Sequence, residues 1–196
     1  SRVPAAGKDM QKRHIAIAPI VLALGVIAFK YFTAEKAVNP ETGETVRVAL
    51  SRDEEVQLGL QSYQQVLAES DVVESGPEVD MVRRVARRLA AGTREGGKNF
   101  KWEVSVVRSQ EMNAFCLPGG KIVVYTGILA ATKTEAGLAA VMGHEMAHAT
   151  ARHGAQRLFQ NDIAETAMQG AQQSIADLEP EKQQAIMSAL GGGAKF

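Results

Sequence analysis

One pentapeptide, H-E-M-A-H at residues 144–148, restricts both the local structure of the chain and its chemistry. The surrounding segment, residues 134–153, has strong helical character. Residues four apart on a helix lie one above the other on the same face. The imidazoles of His144 and His148 can therefore hold one metal ion from one side, with Glu145 beside them.

Zinc is the metal that this motif predicts. Zinc lowers the pKa of a bound water to about 7, and a carboxylate placed like Glu145 can take the proton as the water attacks a carbonyl. The alternative interpretation is an exposed, charged helical turn without chemistry. Small and apolar residues at 139–143 favour a buried helix instead, in which His and Glu need partners. The motif predicts a zinc-dependent peptidase.

The predicted extent of this helix determines whether a third histidine, His153, can reach the same metal ion. Thr132 and Glu135 form a T-x-x-E capping box that is predicted to start the helix. On a continuous helix His153 would lie about 140° around the axis from His148. We therefore expect His153 to have a structural or hydrogen-bonding role and not to bind the same metal ion.

The charge balance and cysteine content exclude some other functions. Lysine plus arginine and aspartate plus glutamate both number 22, so no basic surface for nucleic acid is expected. Cys116 is the one cysteine, which rules out a disulfide within the chain. No sequence signature of a catalytic nucleophile surrounds it.

The N-terminal region is typical of an export signal or of an uncleaved signal-anchor. A mostly basic stretch, residues 1–13, precedes an uncharged apolar run at residues 15–29. A buried core helix is the alternative interpretation of that run. We predict an N-terminal segment at residues 1–38 that can contact a membrane, a linker at 39–50 and a metallopeptidase domain at 51–196.

The order of elements within residues 51–196 predicts the fold class. A capping box, Ser51 with Glu54, is predicted to start a helix, and a second amphipathic helix follows Pro77. Strands are predicted at residues 102–107, 113–117 and 121–126, and helices at residues 155–178 and 181–190, in addition to the helix that carries the motif. This order predicts an α+β fold: a mostly helical, zincin-like domain with a small antiparallel sheet beside the H-E-x-x-H helix.

The hairpin at residues 113–126 is a candidate substrate-binding element. Pro118 and the glycines after it predict a tight turn between its strands. A sheet edge beside a metal site can take an extended peptide as an added strand. Asn113, Ala114 and Phe115 are therefore candidate substrate-binding residues, although an ordinary core hairpin would have the same pattern.

Four segments carry a resemblance to a known family. They read S-R-D-E-E-V-Q-L-G at 51–59, N-A-F-C-L-P-G-G-K-I at 113–122, Y-T-G-I-L at 125–129, and G-H-E-M-A-H at 143–148 followed by A-R-H at 151–153. Together they resemble the gluzincin peptidase family of HtpX, BepA, the mitochondrial Oma1 and the CAAX prenyl proteases, and most of all its bacterial periplasmic, Oma1-like branch.

The resemblance implies a zinc endopeptidase. One Zn2+ per chain would be held by His144 and His148, with Glu145 as general base. The implied substrates are misfolded or misassembled membrane or envelope proteins. The implied location is the bacterial cell envelope, either in the periplasm or anchored in the inner membrane and facing the periplasm.

The third zinc ligand departs from the family pattern. In this family it is a glutamate in an E-x-x-x-D motif, and no such motif follows His148 in the sequence. We expect that ligand to lie beyond Phe196, so that the domain is C-terminally incomplete, with Glu165 as the alternative within the chain. The competing functional hypotheses are a non-catalytic, chaperone-like binding protein with a structural or vestigial zinc site, and an interaction module that assembles through its apolar N-terminus.

Overall fold

The computed structural model describes residues 15–40, 42–94 and 97–192. The described residues divide into two compact units. One unit is Ala34–Gln160, and the other contains the described residues on either side of it. The mostly basic stretch before the apolar run, residues 1–13, lies outside the described residues, as does Phe196.

In chain order, the described residues form helix α1 (Ile17–Thr33), strands β1 (Glu35–Val38) and β2 (Thr45–Val48), helix α2 (Arg52–Ala68), strand β3 (Val72–Val73), helix α3 (Pro77–Ala91), strands β4 (Glu103–Val107), β5 (Ala114–Leu117) and β6 (Lys121–Tyr125), and helices α4 (Thr126–Thr132), α5 (Glu135–Thr150), α6 (His153–Ser174) and α7 (Pro180–Gly192). The fold is α+β and mostly helical, as predicted.

The main sheet has the strand order β3-β4-β6-β5. β3 pairs with β4 and β5 pairs with β6 in antiparallel fashion, whereas β4 and β6 are parallel. The three strands predicted within residues 102–126 are confirmed, but the parallel pair was not predicted. It arises because β5 folds back onto the outer side of β6. β5 is consequently an edge strand.

The two faces of this sheet are covered by different helices. On one face, alternate residues of β4, β5 and β6 pack against α3 and α5. On the other face, Val107 and Val123 pack against Tyr63 of α2. The Tyr63 hydroxyl also lies 2.7 Å from the Ser105 hydroxyl of β4 and ties α2 to the sheet. The sheet is therefore buried between helices, and α5 is held against β5.

A hairpin of β1 and β2 precedes α2. Its strands are antiparallel, and Gly43 in the turn has a φ of 73°. Part of the predicted linker, residues 39–50, forms the turn and second strand of this hairpin. Buried Val48 of β2 packs with Ala37 and Ala155. The predicted domain boundaries themselves stay a prediction.

Of the two predicted capping boxes, one is confirmed. The Ser51 side chain accepts a hydrogen bond from the Glu54 backbone, and the Glu54 carboxylate accepts one from the Ser51 backbone. The second box is wrong, because Thr132 ends α4 and its hydroxyl donates to the Leu129 carbonyl. Thr134 caps α5 instead, accepting from the Gly137 backbone at 3.0 Å.

The other unit contains α1, α7 and the part of α6 that follows Gln160. Lys30 of α1 donates to Asp162 at 2.7 Å and to Thr166 at 3.0 Å. Gly170 of α6 lies against Ala23 of α1. Among the described residues, no helix combines the length and the apolar character that crossing a membrane requires.

Gly59 in α2 allows a close approach to the hairpin turn that follows β5. A Cβ at this position would lie 2.2 Å from the Pro118 carbonyl oxygen, which belongs to the backbone and has little room to move. We predict that Gly59→Ala lowers the free energy of unfolding by about 1–3 kcal/mol, as overpacking does, in urea denaturation. The matched control is Gln61→Ala at an exposed position of α2, with an expected change within about 0.5 kcal/mol. Equal stability of the two variants would contradict this packing.

Candidate active site

Helix α5 has a buried face and an accessible face. Leu138, Met142 and Met146 recur at helical spacing and are buried against the sheet and α3, and Ala149 is also buried. His144 is exposed, and both Glu145 and His148 are half-buried. The H-E-x-x-H side chains therefore lie at the surface of a helix whose other face fixes it to the core.

The two motif histidines converge through the same ring nitrogen. The Nε2 atoms of His144 and His148 are 2.9 Å apart. In a tetrahedral site with Zn–N bonds of about 2.0–2.1 Å, two ligating nitrogens lie roughly 3.3 Å apart. The observed separation is close to that value, and imidazole is a preferred ligand of zinc. This pair of side chains therefore fits a zinc ion.

His153 contacts the other nitrogen of His148. The Nδ1 atoms of the two rings are 2.5 Å apart. The sequence predicted a continuous helix that would carry His153 away from His148, and that prediction is wrong. Helix α5 ends at Thr150, and α6 begins at His153. The hydrogen-bonding role expected for His153 agrees with this geometry.

Arg152 causes the break between the two helices. Its φ is 59°, in the left-handed region that non-glycine residues rarely adopt. Such a conformation costs about 1–3 kcal/mol and persists only where surrounding contacts hold it. Three contacts do so: the guanidinium donates to Glu55 at 2.8 Å, to Glu35 at 3.0 Å and to the Leu50 carbonyl at 2.7 Å.

The ion pair between Arg152 and Glu55 is buried. Their exposed fractions are 5% and 6%. Burial raises the pKa of the Glu55 carboxyl, and the positive charge of Arg152 opposes that rise. Sequence reasoning missed this pair because its members are 97 positions apart. The available signal was that Glu55 and Arg152 belong to two of the segments that carry the family resemblance.

Glu145 borders a cavity of about 220 Å³. The residues lining the cavity include His148, His153, Glu55 and Cys116. Burial, and to a lesser extent the negative charge of Glu145, raises the pKa of the Cys116 thiol to about 12. The thiol is thus protonated near neutral pH, which agrees with the expectation that Cys116 is not a nucleophile.

The candidate substrate-binding residues lie at the edge strand. The Asn113 carbonyl accepts from the Tyr125 backbone at 3.0 Å, and the Asn113 amide donates to Glu111 at 3.3 Å. The Ala114 side chain is buried on the face toward α5, and Phe115 packs on the opposite face against Tyr125. Apart from Asn113, these residues therefore offer backbone groups, and not side chains, at the edge.

The alternation of hydrogen bonds in an antiparallel pair shows which backbone groups these are. Because Asn113 is bonded to Tyr125, the bonded pairs further along are Phe115 with Val123 and Leu117 with Lys121. The N–H and C=O groups of Ala114 and Cys116 consequently point away from β6, toward the outer edge of the sheet.

A third metal ligand stays a prediction. Within residues 15–40, 42–94 and 97–192, no group of three or more His, Cys, Asp or Glu side chains is arranged to hold a metal ion. Glu165, the alternative ligand considered within the chain, accepts a hydrogen bond from the Gln169 side chain at 3.1 Å.

Comparison with known proteins identifies the family. Residues 78–191 match Peptidase family M48. The chain belongs to peptidase family M48. The match includes α5 with its H-E-x-x-H motif, the edge strand β5 and the break at Arg152. Membership confirms the gluzincin resemblance and identifies the chain as a member of a metallopeptidase family.

Individual relatives in this family carry peptidase names. The chain is 40% identical over 112 residues to the mitochondrial metalloendopeptidase OMA1 of Schizosaccharomyces pombe, covering 56% of this chain and 33% of the relative. It is 34% identical over 128 residues to the mitochondrial metalloendopeptidase OMA1 of Danio rerio, covering 63% and 27%. It is 25% identical over 186 residues to the beta-barrel assembly-enhancing protease of Escherichia coli, covering 94% and 37%. The matched regions thus span about a third of the length of these relatives.

The buried ion pair predicts a pH-dependent stability defect in Arg152→Gln. Removing the guanidinium leaves Glu55 buried and unpaired, with an expected loss of about 3–5 kcal/mol near neutral pH. The variant raises the pKa of Glu55 further above its ordinary value of 4.5. Protonation removes the penalty, so the loss shrinks as the pH falls through that raised pKa toward 4.5.

Urea denaturation at several pH values measures this loss. The matched control is Arg84→Gln, which removes an exposed ion pair with Glu135. The control is expected to change stability by less than about 1 kcal/mol. A loss in Arg152→Gln that is equally large at pH 5 and pH 8 would contradict the assignment to Glu55.

Proposed function

We propose that the chain is a zinc-dependent endopeptidase. The observation that carries the proposal is the convergence of the His144 and His148 Nε2 atoms at 2.9 Å on the accessible face of α5. Membership in peptidase family M48 supports it. A purely structural zinc site has no need for a carboxylate such as Glu145 between its ligands.

Each side chain of the motif has a separate task. His144 and His148 would hold the metal through their Nε2 atoms, and Glu145, the neighbour of His144 in the motif, would act as the general base. When bound, zinc would lower the pKa of that water to about 7 and polarise the carbonyl of the scissile peptide. The Glu145 carboxylate accepts the proton of the attacking water and donates it to the departing amine nitrogen.

The edge strand β5 aligns the substrate. An extended polypeptide adds to the sheet by bonding to the outward backbone groups of Ala114 and Cys116, as in other cases of strand addition. The cavity beside this edge is lined by Cys116 and Glu145. The added strand therefore runs past the catalytic carboxylate. Recognition mainly through backbone hydrogen bonds suits substrates of varied sequence.

The substrates of this activity are misfolded or misassembled membrane and envelope proteins, and the location is the bacterial cell envelope. The name of the Escherichia coli relative, beta-barrel assembly-enhancing protease, supports this assignment. Contact with a membrane is made through α1. Large apolar side chains of this helix, including Ile17, Leu22, Phe29 and Phe32, are exposed.

The central test compares the wild type with Glu145→Gln and His144→Ala. Each protein is produced as the whole product of its gene. The expected result for Glu145→Gln is normal zinc content and a loss of casein cleavage of about 10²–10⁴-fold, because the base is gone and the ligands remain. His144→Ala should lose both zinc and cleavage. The measurements are metal analysis and initial cleavage rates.

Two outcomes would contradict the proposal. Cleavage that survives Glu145→Gln would remove that residue from the mechanism. Zinc bound by wild type without any cleavage of casein or unfolded β-barrel proteins would favour the non-catalytic binding protein.

If the substrate binds as an added strand, backbone N-methylation of a peptide substrate should lower kcat/KM only at alternate positions. Methylation of an N–H that bonds to β5 removes one hydrogen bond, worth about 0.5–1.5 kcal/mol, and should lower kcat/KM roughly 2- to 12-fold. Methylation of the neighbouring N–H, which points away from β5, is the matched control and should have little effect. A uniform response along the peptide would contradict binding as an added strand.

A further inference from the structure

His148 makes two contacts on opposite sides of one ring. Its Nε2 faces His144 Nε2 at 2.9 Å, and its Nδ1 faces His153 Nδ1 at 2.5 Å. The two nitrogens of an imidazole point in widely different directions. A metal ion held between His144 and His148 at Nε2 is therefore out of reach of His153, whose Nδ1 points at the other nitrogen.

We propose that His153 is a positioning residue for the metal ligand His148. In this arrangement His153 Nδ1 carries a lone pair and accepts the proton of His148 Nδ1–H, while His153 keeps its own proton on Nε2. The hydrogen bond fixes the tautomer of His148 that has its lone pair on Nε2, and it fixes the orientation of the ring toward His144. This inference rests on the proposed zinc site.

The fold places His153 in this position through its neighbour. Arg152 holds a left-handed φ of 59°, and α6 starts immediately after it with His153. The guanidinium that fixes this turn is bound by Glu55, Glu35 and the Leu50 carbonyl. The contacts of Arg152 thus position the backbone from which His153 reaches back to His148.

Zinc affinity, measured by competition with a chelator, is the first test. His153→Ala is expected to bind zinc about 10- to 100-fold more weakly, the effect of removing a hydrogen-bond partner of a metal ligand. His153→Asn is expected to recover most of the affinity, because its side-chain oxygen occupies the place of Nδ1 in the connectivity of the side chain and also accepts a hydrogen bond. The matched control is Gln160→Ala, at an exposed position of α6, which should bind like wild type.

The hydrogen bond itself is measurable by NMR on protein with 15N-labelled histidine. In the zinc-bound wild type we expect a protonated His148 Nδ1 and a nitrogen–nitrogen coupling across the bond to His153 Nδ1. A purely structural role of His153 would not produce this coupling. This coupling would be measured in the wild type, so the test does not depend on whether a variant folds.

The outcomes distinguish a failure of the proposed metal site from a failure of the positioning role of His153. If wild type binds zinc no better than His144→Ala, the proposed metal site fails and the positioning role fails with it. If wild type binds zinc but His153→Ala binds equally well, or the coupling is absent, the positioning role of His153 is wrong and the proposed function stands.

Discussion

The arrangement of the site depends on one buried ion pair. Arg152 lies where α5 ends and α6 begins, and its guanidinium binds Glu55 from α2, Glu35 from β1 and the Leu50 carbonyl. Removing two charges from water is unfavourable, and only good geometry and further hydrogen bonds compensate for it. Because all three guanidinium nitrogens are used, the pair can hold Arg152 in a left-handed conformation that it would otherwise avoid. That conformation separates the helix of the motif from the helix of His153.

The sheet supplies the second constraint. Placing β5 outside β6, and not between β4 and β6, leaves an edge strand beside α5. The face of β5 toward α5 is filled by Ala114, and the opposite face by Phe115. Hydrophobic packing on both faces thus fixes the strand and leaves its outer backbone groups for recognition. The same packing buries the apolar face of α5, so the histidines are carried on a rigid element.

Features encoded by residues close in the sequence could be predicted, and features that depend on distant contacts could not. The helix of the motif, the box formed by Ser51 and Glu54, and the turn at Pro118 follow from local hydrogen bonding and allowed backbone conformations. The left-handed Arg152 is stabilised by Glu55, 97 positions away, so neither the helix break nor the position of His153 was visible in the local pattern. The start of α5 was misplaced because α4 uses Thr132, which made Thr134 the cap.

The most direct test of the central claim is the coordination shell of zinc in the purified protein, measured by X-ray absorption at the zinc edge. The expected signal comes from two imidazoles with Zn–N distances of about 2.0–2.1 Å. The signal should persist in the exposed control Gln160→Ala, whereas His144→Ala and His148→Ala should retain too little zinc to give it. A spectrum without imidazole scattering, or one that neither histidine substitution changes, would contradict the metal site on which the account is built.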